Sequence, residues 1–154
     1  MKTLFLLAAL VSTPAFAVGN FSGHWLTTTG KINSTVGIKG DCSKIEIVIE
    51  QKEGLLLTKQ YRANCGTYDS NWGPVAQTIR DGKVFEGEGE DEEQVGTITD
   101  TTLITVSRSG GVSYAYNLKL HPQPDGSVLL QSYYGVKNAV GAIAIEGLML
   151  QASP

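Results

Sequence analysis

Side chains that hold metals or exchange protons near neutral pH are scarce in this chain. Its 154 residues include two cysteines, Cys42 and Cys65, and two histidines, His24 and His121. Neither histidine stands at a metal-ligand spacing from the cysteines, which excludes a zinc-finger-type centre. No metal and no cofactor are expected. Positive charge is also short. Lysine and arginine number 12 against 15 acidic side chains, and loss of Lys2 with an N-terminal leader leaves 11 against 15, a net charge of −4. Nucleic acid and anionic membrane surfaces bind through basic surfaces that release counterions, so neither is expected as a partner. Beyond the first residues there is no long apolar run, hence no membrane span is expected in the mature chain. Helical periodicity is missing after Ala17 as well, which leaves strands as the means of building a core.

The N-terminus has a recognisable plan. Met1-Lys2-Thr3 is positive, Leu4 to Val11 is apolar, and Ala15-Phe16-Ala17 is a small-x-small site. This reads as a secretory signal peptide over residues 1–17, cleaved after Ala17. The remaining residues, 18–154, are expected to form a single β-barrel domain, secreted or periplasmic. In a disulfide-permitting compartment the even cysteine count implies one bridge, Cys42 to Cys65.

What is present is alternation and turn chemistry. From Ser43 to Gln51, Ile45, Ile47 and Ile49 fall on one face and Lys44, Glu46 and Glu50 on the other, a half-buried strand. Lys52-Glu53-Gly54 turns the chain into Leu55 to Tyr61. A three-residue loop pairs Gln51 with Leu55, Ile49 with Leu57 and Ile45 with Tyr61, placing apolar side chains opposite one another. A bulge near the strand end then brings the two cysteines together. Gly30 to Asp41 and Cys65 to Pro74 read as loops or edges. From Val75 onward, hairpins follow regularly through Asp81-Gly82, Glu90 to Glu93, Ser109-Gly110-Gly111 and the proline-rich turn before Ser127. The fold class is all-β: an antiparallel up-and-down meander barrel of eight to ten strands, with a β-sandwich as the alternative.

The start of the mature chain carries a further pattern. Phe21-Ser22-Gly23-His24-Trp25, a Gly-x-Trp opening a secreted β-meander, resembles the first conserved region of lipocalins and the opening of avidin-like barrels. That resemblance implies a closed barrel holding a small, usually apolar ligand, with Trp25 packed across the closed end. The chain departs from both families. It lacks the Thr-Asp-Tyr of lipocalins on a mid-chain strand, and its two tryptophans, Trp25 and Trp72, cannot supply an avidin-type pocket.

The candidate ligand-binding residues are therefore Trp25, Tyr114, Tyr116 and Tyr133, facing or closing the cup. Tyr114, Tyr116, Leu118 and Leu120 share one strand face, and tyrosine offers apolar area with a polar tip. The acidic run Glu86, Glu88, Glu90, Asp91, Glu92 and Glu93 lacks the spacing of a calcium loop and reads as a solvated edge. His24 neighbours Trp25 on a strand and so faces solvent. With no nucleophile or paired carboxylate marked out, no catalytic residue is assigned and an enzyme is not expected. The function expected is non-enzymatic binding of a small apolar or amphipathic molecule. The alternative is a protein-binding module, such as an inhibitor of a secreted hydrolase, acting through the acidic tip or the Tyr68/Trp72 segment.

Overall fold

The computed structural model describes residues 18–152; the expected signal peptide lies outside them. The strands are β1 (Gly23–Ser34), β2 (Lys39–Asp41), β3 (Lys44–Lys52), β4 (Leu55–Cys65), β5 (Tyr68–Trp72), β6 (Val75–Arg80), β7 (Lys83–Glu86), β8 (Glu93–Ile98), β9 (Thr102–Ser109), β10 (Val112–Pro122), β11 (Val128–Lys137) and β12 (Ala142–Gln151). All pairings are antiparallel and follow the chain order, apart from β2 and β5, which pair only with β1 and β4; β12 returns to β1, closing an up-and-down barrel. Twelve strand segments make ten staves. Strand β2 continues β3 along β1 in one register, since Lys31 faces Asp41 as Trp25 faces Ile47. Strand β5 continues β6 along β4 in the same way, with Tyr61 facing Trp72 and Thr58 facing Val75.

Closure follows from the alternation. Most inward positions are apolar or small, and pairing of β12 with β1 removes the two terminal edges that an open meander would expose. The lower half of the barrel is solid. Ile47, Leu56, Leu103, Leu118, Leu130 and Met149 fill it, each no more than 1% exposed. Gly30 and Gly147 leave room there for Ile45, whose Cδ1 lies 2.7 Å from where a Cβ on either glycine would stand.

The N-terminal segment shuts the lower end. The Gly19 amide donates to the Thr99 carbonyl, tying the segment to the β8–β9 turn. Across the barrel, Gln51 holds it on both sides. Its Oε1 accepts from the Phe21 amide and its Nε2 donates to the Gly19 carbonyl, each at 2.9 Å. Phe21 and Trp25 are both buried, and the Trp25 indole Nε1 donates to the Phe21 carbonyl at 3.1 Å. A large ring with its one polar atom satisfied can sit in a core at little cost.

Three expectations change. The β3–β4 hairpin uses the two-residue turn Glu53-Gly54, with Lys52 facing Leu55 and Gly54 at φ 71°. The bulge falls mid-strand, at Lys59, between the Ile49–Thr58 and Val48–Gln60 pairs. That bulge is what keeps Leu56 and Thr58 on one side of it, and Tyr61 and Ala63 on the other, all facing inward. Leu55, expected opposite Gln51, faces Lys52 and is exposed. Second, the polar stretch from Gly30 is not a loop up to Asp41: β1 runs to Ser34 and β2 resumes at Lys39. Third, the turn-rich segment after Cys65 contains strand β5. The expected bridge between Cys42 and Cys65 is formed, joining the β2–β3 junction to the end of β4.

Candidate ligand-binding cavity

The barrel wall is not of even height. Strand β7 has 4 residues and β8 has 6, between β4 with 11 and β10 with 11. Strand β6 reaches β7 only through Thr78 to Arg80, so β5 pairs with β4 alone. On the far side, β8 pairs with β9 only as far as Thr105, leaving Val106 to Ser109 without a neighbour there. The upper wall is thus notched between β5 and the end of β9. The connection Gly87 to Glu92, with its single 3₁₀ turn at Gly89–Asp91, forms the sill.

Behind the notch lies a cavity of about 320 Å³, within the range that holds small molecules. Thr58, Val75, Gln77 and Thr105 line it with the rings of Trp72, Tyr114, Tyr116 and Tyr134, and Glu86, Ser107, Arg108 and Ser109 stand toward its rim. Strand alternation explains the lining. Tyr116 faces Tyr134 across β10–β11 and Thr105 across β9–β10, so these three share one inward level. Tyr114 and Ser107 occupy the level above.

The floor is an aromatic cluster. Tyr61 stacks on Trp72 with ring centroids 5.0 Å apart, meets Tyr134 at 4.9 Å, and meets Tyr116 edge-on at 6.2 Å. Trp72 contacts Tyr116 and Tyr134 at 5.4 and 5.5 Å. The polar tips of this cluster are incompletely matched. The Tyr61 hydroxyl, the Trp72 indole Nε1 and the Tyr116 hydroxyl are buried without a hydrogen-bond partner. Each such group costs about 1–3 kcal/mol relative to a paired one, so their grouping in one place is unusual for a core.

Burial also sets their protonation. It pushes the Tyr134 hydroxyl up to about 12, aided by the neighbouring phenols of Tyr68 and Tyr114. The Tyr61 and Tyr116 hydroxyls are driven higher still, again chiefly by burial. All three remain neutral donors across physiological pH, and none is poised as an acid or base for chemistry near neutrality.

No family model matches the chain, and no curated protein matches it. Among solved structures, a protein of unknown function from the DUF3598 family of Nostoc punctiforme is similar, at 12% identity and a TM-score of 0.58. The alignment covers 88% of this chain and 50% of that one, so the chain spans half the length of that neighbour. What the two share is the barrel.

Within the barrel, the residues singled out from sequence fall in three places. Tyr114 and Tyr116 line the cavity. Trp25 is buried at the closed lower end, separated from the cavity by the apolar filling. Tyr133 does not face the cup. It lies on the outer wall, in a shallow groove with Ala115, Gly135 and Ala144, and its ring covers Gly135. The inward position belongs to Tyr134, because the β10–β11 register sets Tyr134, not Tyr133, opposite the inward Tyr116. Gln131 and Lys137, polar residues two and four places from Tyr133, were the available signal that odd positions on β11 face out. Trp72, Gln77 and Glu86 were also missed as lining residues. The alternation of Asp69 and Asn71 with Tyr68, Ser70 and Trp72 carried the hint for Trp72. With Trp72 turned inward, the Tyr68/Trp72 segment does not offer the exposed aromatic surface expected of a protein-contact loop.

The acidic run divides. Glu86 reaches the cavity and accepts from the Gln77 amide nitrogen at 2.6 Å, while Glu92 pairs with Arg80, whose guanidinium also stacks over Phe85. Among the described residues, no group of three or more metal-ligating side chains converges. His24 lies on the exposed surface against Glu46, and His121 contacts Gln131 there.

Proposed function

We propose that this protein is an exported, lipocalin-like barrel that binds a small amphipathic molecule in the notched cavity without transforming it. The observation that carries the reading is the coincidence of a small cavity with unpartnered buried donors. Trp72 and Tyr116 line the space, and neither the Trp72 Nε1 nor the Tyr116 hydroxyl takes a hydrogen-bond partner among the described residues. A ligand with an apolar body and one or two acceptor oxygens would satisfy them and cover the aromatic walls. Export is supported by the disulfide and by the N-terminal leader pattern. The outer wall carries paired charges, Lys44 with Glu46 and Lys52 with Glu50, which suits water and not lipid tails.

The test is native mass spectrometry of protein purified from its own host. The wild type should carry a small-molecule adduct. Tyr116→Phe should carry less of it, yet unfold at equal or higher urea, because removing an unpaired buried hydroxyl relieves up to about 1–2 kcal/mol. A bare mass for the wild type, together with no uptake of added phenethyl alcohol, would remove the binding reading.

A further inference from the structure

The lining of the cavity is asymmetric in charge. Its inner walls are aromatic and neutral, and Glu86 is the carboxylate among its lining residues. Glu86 ends β7, directly at the foot of the notch, and follows the inward-facing Val84. One carboxylate oxygen, Oε1, accepts from Gln77, which is itself only 5% exposed; Oε2 takes no hydrogen bond among the described residues. Across the β7–β8 ladder Glu86 stands directly opposite Glu93, a like-charge pairing that destabilises a sheet unless a cation intervenes. The sill beyond it adds Glu88, Glu90 and Asp91, and Glu92 is already paired with Arg80.

Among the described residues that line the cavity, Arg108 is the cation. It occupies an exposed position on β9 and forms no ion pair among the described residues, so its charge is dispersed in water. An anionic ligand would have to enter past the acidic sill and lie beside Glu86, where like charges repel in a site partly shielded from solvent. Independently of the acidic residues, Tyr116 is 6% exposed, lines the same cavity and keeps an unpartnered hydroxyl. That marks the space as one built for a guest.

We infer that the ligand is an organic amine. Its ammonium group is held by Glu86 at the notch, and its apolar body lies over Trp72, Tyr114 and Tyr134. The ring faces add cation–π attraction to the ion pair, and Trp72 and Tyr116 donate to any oxygen the ligand carries deeper in. This inference rests on the cavity being a binding site. The notch is then the entrance, and the acidic sill raises the local concentration of cations before they enter.

Three probes of similar shape separate the possibilities: phenethylamine, phenethyl alcohol and hydrocinnamate, titrated by calorimetry at moderate salt. The amine should bind about tenfold or more tightly than the alcohol, and hydrocinnamate should be the weakest of the three. Glu86→Gln, which keeps a side chain able to bond Gln77, should bring the amine down to the affinity of the alcohol. Equal binding of amine and alcohol to the wild type would overturn the amine inference while leaving the cavity as a site. Tighter binding of hydrocinnamate would do the same and point to Arg108. Failure of all three to bind would overturn both readings.

Discussion

Replacing Trp25 with alanine is expected to lower the unfolding free energy by about 3–5 kcal/mol, the range for deleting a large aromatic ring from a packed core. The ring is 2% exposed and lies beneath the solid half of the barrel. Three losses combine in the variant. The apolar area of an indole returns to water on unfolding no longer, a cavity opens under Phe21, and the Phe21 carbonyl loses the donor that fixed it. Nearby groups cannot collapse into the space, because Gly19 and Phe21 are anchored through Gln51. Equilibrium urea unfolding followed by circular dichroism checks this. Trp25→Phe should recover part of the loss by restoring ring volume without the N–H. A cost below about 1 kcal/mol for the alanine variant would mean that the N-terminal segment does not stopper the barrel.

The second large effect concerns the disulfide. Cys42 and Cys65 are 23 residues apart in sequence, so the bridge closes a loop that the unfolded chain would otherwise explore. The chain-entropy estimate for that span is about 3 kcal/mol. The pair Cys42→Ala and Cys65→Ala should therefore lower stability by about that amount and leave the strand content intact. Because the bridge acts on the unfolded ensemble, the dependence on denaturant should steepen in the variant as its unfolded chain expands. Alanine is the better replacement, since Cys65 is fully buried and a serine there would leave a hydroxyl unpaired. Reduction of the wild type should produce the same shift. A double variant as stable as the parent would contradict the entropic role.

The features legible from sequence are those that a single strand declares by itself. Ile45, Ile47 and Ile49 alternate with charged residues, so their inward face required no knowledge of partners, and the structure keeps all three buried. Trp25 and His24 divided correctly for the same reason. Regular hairpin signals led to the closed barrel, since a long meander has few other ways to lose its edges. The misreadings arose where the answer depended on two strands together. The bulge at Lys59 shifts the β3–β4 register by one, and no local residue announces it. Adjacent Tyr133 and Tyr134 exchange roles with a single step of register. The cavity was the least legible feature of all. It exists because β7 and β8 are shorter than their neighbours, a comparison of lengths across the barrel and not a motif along the chain. Glu86 was read with its acidic neighbours as solvated edge, although its place two residues after the buried Val84 gave it an inward position.

The barrel places its two tryptophans in opposite circumstances, and that contrast provides the most direct test of the account. Trp25 donates its indole N–H to Phe21 beneath a filled core, whereas the Trp72 N–H is buried at the cavity without an acceptor. A nitrogen-15-labelled sample should show two indole resonances, assignable by replacing Trp72 with phenylalanine. Titration with phenethylamine should move the Trp72 resonance progressively while that of Trp25 stays in place. Movement of the Trp25 signal, or of neither at saturating probe, would contradict a hollow above a sealed floor.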